Sequence, residues 1–238
     1  DKYAVCFNDT LSDGITFDHL DAIVINNGSS DITIPTEKYP CTVSGQNLTL
    51  NIDDVKRCAP ELNLNNGATI TVTYTAHLNE KAYVNTATNG DTKNTNKVYL
   101  TYSNNPRINT SVGRTPESEV YVFTYQLNNT KYKNSVADGH ELKDAGFRLY
   151  SDIACNEEQE IKLKQNEDGT YSRDFSTEGK GVEMKSADDG TFNVKGLDAG
   201  TYYLKETSTP TGFNTCPVTT VVIKANHTGN NVDLTGST

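Results

Sequence analysis

Residues 202–213 read YYLKETSTPTGF. Tyr202, Leu204 and Glu206 alternate with Tyr203, Lys205 and Thr207, which is the period of a strand. The alternation puts two apolar side chains and one acid on a single face. Pro210 and Gly212 then end the strand and turn the chain. If that face is buried, Glu206 enters a core, where a carboxyl must be protonated or paired. If the alternation frays, Glu206 faces water. These residues alone leave both readings open.

Similar strands recur on the N-terminal side. In YAVCFND, Val5, Phe7 and Asp9 share a face, although an Asp here can also simply initiate the following LSDG turn. ATITVTYTAHL lines up Ile70, Val72, Tyr74 and Ala76 against a row of threonines, and KVYLTYSNNP lines up Val98, Leu100, Tyr102 and Asn104. IDDVKR suggests one helical turn, and the polar residues 85–96 a loop. In EVYVFTYQLNNTKYK, Phe123, Tyr125 and Leu127 alternate, and the same parity reaches Lys131. NEDGTYSRDF and ADDGTFNV each carry Asp-Gly before a β-type run, a hairpin signal.

Short strands with regular turn signals indicate β-sandwiches. A composition rich in Thr, Val, Ile and Tyr, without Trp and with a single Met, suits sheets buried on one face. Residues 108–118 have no apolar period and lie in a stretch with two prolines and a glycine. They read as a linker between a domain at 1–107 and a second at 119–238.

The net charge is −10, from 31 acidic and 21 basic residues. Such a surface repels nucleic acid and anionic membranes, which excludes both as partners. No apolar run is long enough to span a bilayer. His19, His77, His140 and His227 are scattered, the five cysteines form no CxxC, and no Ser/His/Asp or paired-carboxylate arrangement is visible. The expectation is a protein without metal, cofactor or enzymatic turnover.

DGTFNVKGLDAGTYYLKETSTPTGF, Asp189–Phe213, resembles the E-box region of Gram-positive sortase-assembled pilins, whose pattern is roughly Y-x-L-x-E-T-x-x-P-x-G-Y/F. VYVFTYQL…TKY…ELKDAGFRLY (Val120–Tyr150) resembles the start of the same domain. DTLSDGITF (Asp9–Phe17) and VYLTYSNNP (Val98–Pro106) resemble the fimbrial middle domain. The resemblance implies an all-β chain of two tandem immunoglobulin-like sandwiches, each stitched by a spontaneous Lys–Asn isopeptide bond that a nearby acid promotes. It assigns Glu206 as promoter and Lys131 as amine in the second domain. In the first it assigns Asp9 as promoter and Asn104 as electrophile, with Asn105 as runner-up.

The role implied is the backbone subunit of an extracellular, cell-wall-anchored pilus. Its partners would be neighbouring pilin subunits and a sortase transpeptidase, with no membrane contact in the mature form. The alternative is a tip or ancillary adhesin that binds a host receptor. The sorting signal and the lysine-bearing polymerisation motif of the family are not in this sequence. The first domain's lysine is expected upstream of Asp1 and the second domain's asparagine beyond Thr238, unless Lys131 pairs with Asn230 or Asn231. An extracellular site also suits a Cys155–Cys216 disulfide. Its loop closure would be worth roughly 4 kcal/mol in the chain-entropy model. Cys41–Cys58 is a weaker second pairing that leaves Cys6 free.

The chemistry explains the residue types. Amide formation needs an unprotonated amine and an activated carboxamide. An apolar core lowers a lysine's pKa and raises an acid's, so Glu206 is expected neutral, donating to the carboxamide oxygen and shuttling protons to ammonia. Holding the pair together supplies effective molarities of about 10⁵–10⁸ M.

Overall fold

The computed structural model describes residues 1–65, 67–84, 94–175, 180–228 and 231–238. Asp1–Ala82 with Asn94–Val122 form one compact unit, and Phe123–Thr238 make up the body of a second. Most of the loop expected at 85–96, and Asn230, lie outside the described residues.

The first unit contains β1 (Val5–Leu11), β2 (Ile15–Asn26), β3 (Asp31–Ile34), β4 (Thr42–Ser44), β5 (Asn47–Ile52), β6 (Thr69–Leu78), β7 (Asn94–Ser103), β8 (Val112–Arg114) and β9 (Ser118–Val122). One helical turn, α1 (Val55–Cys58), follows β5; Asp54 caps it by accepting from the Lys56 amide. One sheet runs β4-β5-β1-β7-β8, with β9 also on β7, and the other runs β3-β2-β6. On β6 the threonines at 69, 71, 73 and 75 are exposed while Ile70, Val72, Tyr74 and Ala76 pack inward, as their alternation predicts. Ile23, Ile25, Leu50 and Ile52 are the centre of the core between the sheets.

The segment expected to be a linker is instead built into this unit. β8 pairs with Thr101–Ser103 and β9 with Asn94–Val98, both along one edge of β7. Between them the Thr115 amide donates to the Leu100 carbonyl. Strands at a sheet margin satisfy backbone groups without burying a face, so they need no apolar period and the composition does not betray them. The run EVYVFTYQL is accordingly divided between the units at Val122/Phe123.

The second unit contains β10 (Tyr125–Leu127), β11 (Gly146–Tyr150), β12 (Leu163–Gln165), β13 (Tyr171–Arg173), β14 (Met184–Lys185), β15 (Val194–Leu197), β16 (Gly200–Ser208), β17 (Thr219–Ile223), β18 (Asn226–Thr228) and β19 (Asn231–Asp233). Two four-stranded sheets, β10-β15-β13-β12 and β14-β11-β16-β17, face each other, and β18-β19 form a small hairpin. The first Asp-Gly, at Asp168-Gly169, closes the β12–β13 hairpin. The second, at Asp189-Gly190, makes a turn but joins β14 of one sheet to β15 of the other. Leu149, Met184, Val194 and Leu197 are fully buried between the layers.

Leu149→Ala removes a side chain with no solvent exposure. It should cost the second unit about 2–5 kcal/mol. Urea unfolding followed by fluorescence or circular dichroism should show an earlier transition for that unit.

Candidate functional site

On β16, Leu204 and Glu206 are buried while Lys205 and Thr207 are exposed, so the acid does share the core face. Glu206 sits opposite Phe147 of β11. Phe147 stacks on Phe192 with ring centroids 4.2 Å apart. The Lys131 ammonium lies 5.8 Å from the centre of the Phe147 ring and donates to Glu206 Oε2 at 3.0 Å. The Cys216 amide donates to the same oxygen at 2.7 Å. The Lys131 and Glu206 side chains are 12% and 0% exposed. Glu206 Oε1, equally buried, has no hydrogen-bond partner.

The backbone fixes Lys131 from two directions. Its amide donates to the Gly190 carbonyl at 2.8 Å, and its carbonyl accepts from Leu142 at 2.9 Å. Gly190 has φ +74°, and a Cβ there would lie 2.6 Å from the Lys131 carbonyl oxygen. The Asp-Gly turn therefore needs glycine both for its conformation and for its close approach to the lysine.

Burial acts to push the Glu206 carboxyl up. The hydrogen bonds from the Cys216 amide and thiol and from Lys131, with the lysine charge, outweigh it and hold the group below the usual carboxylate range. Burial alone would favour the neutral acid expected from the sequence; the contact with the Cys216 groups and Lys131 shifts it toward the carboxylate instead.

In the first unit, Asp9 of β1 lies opposite Val98 of β7 and Leu48 of β5. Tyr74 reaches it from the other sheet, its hydroxyl donating to Asp9 Oδ2 at 3.0 Å. Asn96 Nδ2 in turn donates to the Tyr74 oxygen at 2.5 Å. Asp9 Oδ1 and Asn96 Oδ1 are both buried without partners. Burial pushes the Asp9 carboxyl above its ordinary range, outweighing the opposing pull of the Tyr74 hydroxyl and of the nearby Asn96 and Thr10 N–H groups. Beside it opens a groove of about 360 Å³ whose lining includes Phe7, Leu50, Ile70, Val72, Cys41 and Tyr74.

The structure brings Asn96 to Asp9 and leaves Asn104 elsewhere. Asn104 is exposed, its amide donating to the Ser111 carbonyl. It lies six residues beyond Val98, roughly 20 Å along an extended strand. Asn105 is also exposed and its side chain accepts from the Arg107 amide. Asn96 was passed over because the polar run 85–96 reads as a loop, whereas β7 begins at Asn94 and gives Asn96 the same strand parity as Val98, Leu100, Tyr102 and Asn104. Parity selects the face, and only the β1–β7 register selects the position.

The proposed disulfides are absent: all five cysteines are free thiols. The Cys216 amide is tied to Glu206, which pairs with Phe147. Cys155 lies in the turn beyond Tyr150, which pairs with Tyr203 at the other end of that ladder. Cys58 donates its S–H to the Tyr39 hydroxyl at 2.9 Å rather than meeting Cys41.

The nearly all-β architecture, with facing sheets in each unit, is the immunoglobulin-type, prealbumin-like fold found in pilin structures. Residues 128–238 match the family model for the SpaA prealbumin-like fold domain. Among solved structures, the group B streptococcus pilus 2b backbone protein is 26% identical with a TM-score of 0.60, covering 98% of this chain and 82% of that one. The 35 kDa C-terminal fragment of the major pilin GBS80 of Streptococcus agalactiae is 19% identical, with a TM-score of 0.67 and coverage of 98% and 79%. The full-length major pilin SpaD of Corynebacterium diphtheriae is 22% identical, with a TM-score of 0.59 and coverage of 91% and 50%. No match is found among curated protein sequences.

Two predictions follow from the second unit's site. Gly190→Ala should destabilise that unit by more than about 1 kcal/mol, measured by denaturant midpoint. Glu206→Gln should cost about 3–5 kcal/mol at neutral pH, because it strands the Lys131 charge. The folded pKa of Glu206 is depressed, so its stabilisation is present above the unfolded carboxyl value of about 4.3 and is lost as pH falls through the folded value. The gap between wild type and Glu206→Gln should therefore narrow in acid, as read from denaturant midpoints at neutral and acidic pH.

Proposed function

We propose that this chain forms part of the backbone subunit of a Gram-positive surface pilus, and that each unit is a site of spontaneous amide formation between a lysine and an asparagine. One observation carries the reading. Among the described residues, the buried side-chain nitrogen and oxygen atoms without a partner are Asp9 Oδ1, Asn96 Oδ1 and Glu206 Oε1, and all three lie at these two sites. Native cores rarely leave such atoms unpaired, and a catalytic role is one of the reasons they do. The likeness to pilus backbone proteins over nearly the whole chain supports the same reading.

In the second unit the amine and the acid are in contact. Proton transfer from Lys131 to Glu206 across 3.0 Å converts the ion pair into a free amine and a neutral acid. The amine can then attack a carboxamide carbon while the carboxyl donates to its oxygen, and ammonia leaves. Asn, Lys and Glu are thereby used once, with no turnover. The first unit is complementary: Asp9 is the acid and Asn96 the carboxamide, and the apolar groove receives the stem of an amine. Asn96 takes the role expected of Asn104. Such amides would carry tension through covalent bonds rather than through strand pairing. Other pilin subunits and a sortase are the partners this role calls for, outside the cell.

Intact mass and peptide mapping of the full-length protein test this. Each unit should weigh one ammonia less than its sequence. Glu206→Ala should restore the mass of the second unit and Asp9→Ala that of the first. An unmodified mass in the unsubstituted protein would sink the proposal.

A further inference from the structure

Tyr74 occupies a position that packing alone would fill with an apolar side chain. It belongs to the inward row of β6 with Ile70, Val72 and Ala76, and its ring lies 5.6 Å from that of Phe17. A hydroxyl in such a place is costly unless it is bonded. Here it is bonded on both sides, donating to Asp9 Oδ2 at 3.0 Å and accepting from Asn96 Nδ2 at 2.5 Å. Asn96 Nδ2 is the atom that departs when an amine replaces it. The tyrosine thus stands between the acid and the leaving group. In the second unit Glu206 has only Lys131 and Cys216 as hydrogen-bond partners among the described residues.

We propose that Tyr74 is a catalytic residue of the first unit, whose hydroxyl relays a proton from the Asp9 carboxyl to the departing Asn96 nitrogen. This rests on the amide-forming reading of the site given above. The amine lone pair attacks Asn96 Cγ, forming the new C–N bond and a tetrahedral centre. In the tetrahedral centre Nδ2 carries a lone pair and both hydrogen bonds reverse, so the protonated Asp9 carboxyl gives its proton to the Tyr74 oxygen as Tyr74 gives its own to Nδ2. The old C–N bond breaks and ammonia leaves. The Asp9 carboxylate regains a proton from the attacking nitrogen, so amine plus carboxamide yields amide plus ammonia with both side chains restored.

The groups facing the hydroxyl suit a relay rather than a base. Burial, followed by the Asp9 charge, pushes the Tyr74 phenol well above its ordinary value, so it remains an O–H. Burial raises Asp9 toward the protonated form that must donate first. Cys41, which lines the same groove, is pushed up by burial and by Asp9 and stays a neutral thiol.

The test supplies n-butylamine, whose chain imitates a lysine stem, to the chain and follows the Asn96 peptide by mass. The unsubstituted chain should gain the amine with loss of ammonia, and Asp9→Ala should not. Tyr74→Phe keeps the ring against Phe17; it should react about 100-fold more slowly and lose the dependence on Asp9 protonation. A Tyr74→Phe chain that reacts as fast as wild type overturns the relay and leaves the amide reading standing. No uptake by the unsubstituted chain overturns both. A second measurement needs no variant: in mixed H₂O and D₂O a relay moving two protons gives a curved rate plot, and a straight line rules it out.

Discussion

The interaction on which the rest depends is a carboxyl group held inside an apolar layer. Burying an acid is unfavourable unless something compensates, and the two units compensate differently. The second surrounds Glu206 with an ammonium and a backbone amide, so its charge survives. The first gives Asp9 a phenol and a nearby carboxamide, both neutral, and its pKa rises. In each case one oxygen is satisfied and the other is not. A fold selected only for stability would have replaced these groups with leucine or valine of similar volume. Each acid is thus held at the cost of an unmade hydrogen bond.

The scaffold around the second site is built to hold its geometry. Lys131 is not inside a regular strand; it is pinned by backbone bonds to Gly190 and Leu142. Glu206 is set by the β11–β16 register and by the stacked phenylalanines beneath it. Cys216 arrives from the loop after Pro210, where the Phe213 amide donates to the Pro210 carbonyl and Gly212 has φ +91°. Pro, Thr and Gly in that order suit a turn with positive φ at its third residue. The stretch that reads as a strand followed by a stop thus delivers both the acid and the amide that binds it.

Much of this was legible in the sequence, because parity is a local property. The alternation around Leu204 and Glu206 places those side chains on the core face without any knowledge of pairing. That from Phe123 to Lys131 does not survive as one strand, because β10 ends at Leu127 after a register shift at Tyr125/Gln126 and Lys131 is set by backbone bonds instead. What could not be read were the quantities that pairing sets. Asn96 and Asn104 share a face, and only the pairing of Asp9 with Val98 separates them. β8 was hidden because a margin strand needs no apolar signature, whereas β9 reads as the opening of the second domain and pairs instead with β7 of the first. The Asp-Gly at 189–190 announced a turn correctly but not that the chain would change sheets there. Cysteine spacing carries no information about whether two Cβ atoms can approach to the distance a disulfide needs.

The thiols have a consequence of their own. Cys41, Cys58, Cys155 and Cys216 are all pushed up in pKa, with burial the leading cause. Little thiolate is available for exchange or oxidation at neutral pH. The fold is held by sheets and core packing, with no sulfur–sulfur bond between these cysteines. Among the five cysteines a reductant has no sulfur–sulfur bond to cleave, and its addition should leave the sheets and cores as they are.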